Sequence, residues 1–123
     1  MQTEDKRNIK ALIVDDEPII KNTLTTIFEM DGYTVSSFEN GLDALKHAKR
    51  GKYDLIVSDY VMPDINGIEL IQKVKEIHPY IAAILISGKG NEQTAVDAFK
   101  KGNVNNYIIK PFTKDQIMIC INR

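Results

Sequence analysis

The sequence predicts a single α/β domain: a doubly wound parallel sheet of five strands with helices on both faces. Three observations point to it. Five short apolar runs rich in β-branched residues alternate with segments of helical periodicity. Three of these runs are apolar almost throughout, as strands covered on both faces are. The connections are short, and parallel strands joined through helices take right-handed crossovers.

The first strand is read over 9–14, IKALIV, and the first helix begins near Pro18, whose fixed φ suits a first turn. Ile20, Leu24, Ile27 and Phe28 recur at helical spacing until Gly32. The second strand, YTVSSF (33–38), leads to Asn40, whose side chain can cap a helix by accepting from first-turn amides. Leu42, Leu45 and Ala48 are placed on the inner face of this second helix, which Gly51 ends. The third strand, YDLIVS (53–58), delivers Asp59 just beyond its end. A third helix follows Asn66–Gly67, carries Leu70, Ile71, Val74 and Ile77, and stops at Pro79. The fourth strand, IAAILIS (81–87), precedes a helix over about 91–102 with a thin stripe of Ala95, Ala98 and Phe99. The fifth strand, NYIIK (106–110), feeds a helix from about Thr113 that is still running at Arg123. Residues 1–8 read as a disordered N-terminal segment, and the domain as 9–123.

At 123 residues the chain can bury roughly two-thirds of the surface its unfolded form exposes. A net charge of −1 provides no basic field for a phosphate backbone, so direct nucleic-acid binding is not expected. The lone Cys120 excludes an internal disulfide, and within QIMICI it reads as a small buried hydrophobe. No apolar run approaches the ~20 residues of a membrane span, and MQTEDKRN lacks the apolar centre of a signal peptide. A cytoplasmic chain with no membrane partner is expected.

In an open α/β sheet, ligands bind beyond the carboxyl ends of the strands. The first strand exits into Asp15-Asp16-Glu17, the third into Asp59, the fourth into Ser87-Gly88 and the fifth into Lys110-Pro111-Phe112. Singly, such an acid is most often a cap or turn residue, such a serine a loop hydroxyl and such a lysine a solvated one. Together on one rim they form a constellation. Two carboxylates at about 4 Å repel by roughly 4 kcal/mol near a protein surface, so a group of three raises its pKa values or holds a cation. Oxygen ligands with open positions suit Mg²⁺, which keeps waters and shares sites with phosphates. Beside such an ion Asp59 can act as a nucleophile and form an acyl phosphate, with Lys110 and Ser87 meeting other phosphoryl oxygens.

LIVDDE, DLIVSDYVMPDINGIEL, AILISGKG and YIIKPF follow one another in that order from about Ile9 to the end of the chain. By these motifs the chain resembles the receiver domain of two-component response regulators, a flavodoxin-like fold with strand order 2-1-3-4-5. The resemblance implies that Asp59 accepts a phosphoryl group from a sensor histidine kinase or phosphotransfer protein. It also implies that Mg²⁺ is held by Asp16, Asp59 and the Val61 carbonyl, with Asp15 acting mainly through water. Ser87 takes the position of the switch hydroxyl, Lys110 that of the phosphate-pairing lysine and Tyr107 that of the switch aromatic. A cis Lys110–Pro111 bond is implied as well. Phosphorylation would draw Ser87 inward, open space for the Tyr107 ring and repack the face of the fourth helix, fifth strand and fifth helix. A downstream partner or a second copy of the domain is expected on that face. The domain would be a switch rather than a turnover enzyme.

Two positions depart in ways that tune the switch. Val61 is apolar and cannot hydrogen-bond an attacking water, and Lys89, two beyond Ser87, is long and cationic; the resemblance implies that both influence how quickly the phosphoryl group is lost. Asn103 to Asn106 replace the family's usual alanine–aromatic–aspartate run and imply a more polar turn. His47 and His78 fall away from the strand exits and read as surface histidines. A haloacid-dehalogenase-like Mg²⁺-dependent phosphatase is the alternative, although it places a second aspartate where Val61 stands. A flavin carrier would need a phosphate-cradling loop where DDEPII puts three acids. The chain reads as a stand-alone regulator or, from its unfinished fifth helix, as a receiver within a longer protein.

Overall fold

Strand and helix alternate without exception among the residues that the computed structural model describes, 9–88, 90–101 and 104–121. The expectations for residues 1–8, for Lys89 and Asn103, and for the ends of the fourth and fifth helices lie outside the described residues. The order is β1 (Lys10–Val14), α1 (Pro18–Met30), β2 (Thr34–Phe38), α2 (Gly41–Arg50), β3 (Leu55–Asp59), α3 (Gly67–Ile77), β4 (Ala82–Ser87), α4 (Glu92–Lys100), β5 (Asn106–Ile109) and α5 (Lys114–Ile121). All neighbouring strands are parallel, in the expected order β2-β1-β3-β4-β5.

Alternate residues of the central strands point to opposite faces, and each face has its own core. Leu12 and Val14, Ile56, and Ala83 and Leu85 meet Ala44 and Ala48 of α2, Leu70, Ile71 and Val74 of α3, and Ala95 and Ala98 of α4. Ala11 and Ile13, Leu55 and Val57, and Ile84 and Ile86 meet Leu24, Ile27 and Phe28 of α1 and Ile117 of α5. Each large side chain fully enclosed here contributes about 1.5–3 kcal/mol of transfer free energy. Two-sided burial explains why β1, β3 and β4 read as continuous apolar runs.

Two helix faces differ from expectation. Leu42 is 49% exposed, because the buried stripe of α2 consists of Gly41, Ala44 and Ala48. Phe99 is 45% exposed, because Ala95 and Ala98 take the inner face of α4 and leave its ring against the edge of Tyr107. Small residues let both helices sit close to the sheet and turn their larger neighbours outward. Cys120 is only half-buried, at the margin of the α1/α5 core. The polar turn before β5 has a structural use: Asn105 N donates to Ala83 O and Asn105 Oδ1 accepts from Ala83 N, both at 2.8 Å, which extends the β4–β5 pairing.

Side-chain caps define where α2 and α3 begin. Asn40 Oδ1 accepts from Asp43 N and Asn66 Oδ1 from Glu69 N, both at 2.9 Å. Among the described residues no helix is long and apolar enough to cross a membrane.

Candidate functional site

Asp59 is the last residue of β3, not the first of the loop beyond it, and it pairs with Ile86 of β4. Tyr60 N donates to Ile86 O at 2.7 Å, so sheet pairing continues one residue past the acid. Gly67 N donates to Tyr60 O at 2.8 Å, and a Cβ at position 67 would be driven into the carbonyl oxygen of Asp59. Sheet and helix thus clamp the backbone of Asp59 from two sides. Its side chain is aimed, not loosely tethered.

Asp15 is fully buried one residue beyond β1. Its Oδ1 accepts from Glu17 N at 2.9 Å, a local turn that carries the chain into α1 and presents Asp16 and Glu17 at the rim. From the far exit, Lys110 N donates to Ser87 O at 2.8 Å. The Lys110 ammonium lies 2.6 Å from Glu17 Oε2, 3.2 Å from Asp15 Oδ2 and 3.3 Å from Asp59 Oδ2. The Lys110–Pro111 peptide is cis.

Asp15, Asp16, Glu17 and Asp59 each bring a carboxylate oxygen within 4.8 Å of the others. One ammonium cannot balance four carboxylates. Burial, and then the charge of Asp15, pushes the Asp59 carboxyl up to about 7 against the pull of Lys110. Burial likewise raises Asp15. Burial also disfavours the charge on Lys110, but its hydrogen bond to Glu17 and the charges of Asp15 and Asp59 outweigh that and keep it protonated.

Among the described residues, two buried side-chain oxygens lack an ordinary hydrogen-bond partner: Ser87 Oγ, and Asp15 Oδ2, which is ion-paired to the Lys110 ammonium. Ser87 ends β4 and is 1% exposed, one pairing step beyond Asp59 and Ile86. A buried carboxylate oxygen satisfied only by an ion pair, four clustered carboxylates and an all-oxygen donor set fit a hard divalent cation. Val61, 57% exposed, lines the open cleft over the acids with Gly88, Asn91 and Lys110. Tyr107 stands apart, half-buried in register with Leu85, its ring centroid 6.2 Å from that of Phe99. His47 packs on Phe38 and His78 Nε2 sits 2.7 Å from Ala48 O, so neither joins the acidic cluster.

Glu17 is the site residue that the strand-exit logic left without a role. Its signal was its place two residues after Asp15, on the turn that faces the fifth exit. Glu17→Gln removes the shortest contact of Lys110 and one charge from the rim. Mn²⁺ affinity, followed by paramagnetic resonance of the free ion, is expected to fall roughly fivefold. An unchanged affinity would mean that Glu17 does not contribute to the field of the site.

The family profile described as response regulator receiver domain matches residues 11–122. Chemotaxis protein CheY of Listeria monocytogenes is 32% identical over 94% of this chain and 97% of its own. Transcriptional regulatory protein ResD of Bacillus subtilis is 34% identical over 91% of this chain but only 46% of its own length, so the chain spans about half of that relative. A Burkholderia pseudomallei response regulator solved with a phosphorylated aspartic acid, calcium ion and citrate superposes with a TM-score of 0.81 at 29% identity, covering 93% of this chain and 66% of that one. These matches set aside the haloacid-dehalogenase-like alternative, whose second aspartate is Val61 here. From β1 into α5, with the sheet order of the fold, the chain belongs to the response regulator receiver domain family of two-component systems.

Proposed function

We propose that this domain is a phosphorylation-driven switch in which Asp59 accepts a phosphoryl group from a histidine kinase or phosphotransfer protein. The observation that carries this is the placement of Asp59 at the end of a rigid strand, within reach of Lys110 and beside three further acids. The phosphorylated aspartic acid and calcium ion of the Burkholderia relative support it. The receiver domain is read as residues 9–123.

Asp59 attacks as the carboxylate: its Oδ forms a bond to phosphorus while the bond from phosphorus to the donor's histidine nitrogen breaks, leaving an acyl phosphate. Asp16, Asp59, the Val61 carbonyl and Asp15 are the groups that would hold Mg²⁺, which supplies charge neutralisation to the incoming phosphoryl group. Lys110 is already protonated and 3.3 Å from Asp59 Oδ2, so it can follow the charge onto a phosphoryl oxygen. Ser87 Oγ has an unmet hydrogen bond that a second phosphoryl oxygen would satisfy. Movement of Ser87 frees volume toward Tyr107, and the α4–β5–α5 face repacks to take a downstream partner or a second copy of the domain. The chain is then a switch with slow self-dephosphorylation rather than a turnover enzyme, and it acts in the cytoplasm.

Intact-mass measurement after incubation with a small acyl phosphate and Mg²⁺ tests this. The wild type is expected to gain one phosphoryl group, and Asp59→Asn or a chelator to abolish the gain. Ser87→Ala should still be labelled, yet lose the change in hydrogen exchange over α4, β5 and α5. Labelling of Asp59→Asn at the wild-type rate would overturn the assignment of the acceptor.

A further inference from the structure

The β3–α3 connection, residues 60–66, carries Val61 over the acidic rim. Its two ends are tied to the sheet and to α3 through the bonds of Tyr60 and Gly67. A third tie leaves the connection sideways. Asp64 Oδ1 accepts from Gly41 N at 3.2 Å and Oδ2 from Leu42 N at 2.9 Å, while Oδ1 also accepts from Ile65 N at 2.9 Å.

With Asn40 Oδ1 accepting from Asp43 N, the amides of Gly41, Leu42 and Asp43, which precede the first intrahelical bond from Ala44 N to Asn40 O, are all satisfied. Two of these three are satisfied by an acid twenty-two and twenty-three positions away. Packing repeats the tie, since a Cβ at Gly41 would collide with Ile65 Cγ2 and would also meet Met62 Cε. Burial opposes the charge of Asp64, but the amides of Leu42, Gly41 and Ile65 more than offset it and hold the carboxyl below the usual range. The tie is therefore ionised and charge-assisted.

Between the fixed Tyr60 and the fixed Asp64 lie only Val61, Met62 and Pro63. Met62 is buried and proline has a locked φ, so the Val61 backbone has little freedom while both ends are held. Without Asp64, the next hydrogen-bonded tie along the chain is at Asn66 and Gly67.

We propose that Asp64 is a positioning residue for the phosphoryl site: by fastening this connection to α2 it sets the Val61 carbonyl, and with it the affinity for a divalent cation. This rests on Val61 as a ligand. The test is Mn²⁺ affinity and thermal midpoint for the wild type, Asp64→Ala, Asp64→Asn, Asn40→Ala and Asp16→Asn. Asp64→Ala is expected to weaken Mn²⁺ roughly tenfold, the scale of losing an outer support of a metal ligand. Asp64→Asn keeps one acceptor oxygen and is expected to recover part of the loss. Asn40→Ala removes a cap from the same helix without touching the connection, so its midpoint falls while its Mn²⁺ affinity stays within about twofold of wild type. Wild-type affinity in Asp64→Ala, or an equal loss in Asn40→Ala, overturns the positioning role. If the wild type binds no Mn²⁺ that Asp16→Asn removes, the cation reading itself fails and the Asp64 role falls with it.

Discussion

Asp59→Asn is expected to stabilise the folded domain at pH 8 and to change little at pH 4. In the folded state Asp59, 5% exposed and close to Asp15, holds its proton up to about 7, whereas in the unfolded chain it releases it near 3.8. Between those values the folded state binds the proton that the unfolded state has lost. Raising the pH through this window therefore favours unfolding, by up to ~1.4 kcal/mol per pH unit for a single group. Lys110 and the neighbouring acids share the titration, so the total by pH 8 is of order 1–3 kcal/mol. An asparagine does not titrate. Its advantage should open between about pH 4 and 7 and then stay level.

Urea unfolding of both proteins across that range measures the effect, and saturating Mg²⁺ should shrink it, because a bound cation offsets the same repulsion. A stability difference independent of pH would mean that Asp59 is not held protonated. Under the proposed function the same charge crowding has a use, since it would draw a cation and then a phosphoryl group.

Gly67→Ala is expected to destabilise the domain by about 1–3 kcal/mol and to slow phosphoryl acceptance on the order of 10²-fold. The added Cβ would be driven into Asp59 O and would lie 2.9 Å from Asp59 C and 3.0 Å from Leu85 Cδ1. The first two are backbone atoms of the residue that must be aimed. β3 pairs with β1 on one side and β4 on the other, so the strand cannot retreat. Either α3 lifts away or Asp59 turns out of line with Lys110, and the two costs come together. Gly51→Ala, at the end of α2 and away from the acidic rim, is the control, since a Cβ there meets only Tyr53 Cε2 at 3.8 Å and His47 O at 4.0 Å. Denaturant midpoints and initial labelling rates separate the outcomes; wild-type values for Gly67→Ala would remove Gly67 from the support of the site.

Much of this was legible along the chain. Strand order followed from the family-like motifs, and strand identity from runs such as ALIV and LIVS that have to be buried on both faces. Helix starts at Asn40 and Asn66 were visible because a cap is a contact between residues three apart. The inward faces of α2 and α4 were less legible. Hydrophobicity favours Leu42 and Phe99, but close approach to the sheet selects Ala44, Ala48, Ala95 and Ala98.

Read along the chain alone, the residues specify which elements form, in what order, and which acids, hydroxyl and amine stand at the strand exits. Periodicity, capping and strand burial are local properties, written within a few residues of where they act. Folding was needed to bring Glu17 into the shortest contact with Lys110, ninety-three positions away, and to make Asp64 cap a helix it does not belong to. It also pushes the Asp59 carboxyl up to about 7 through burial and the charge of Asp15. Those properties depend on distances between groups remote in the chain and on the water excluded between them, and neither exists until the sheet has closed.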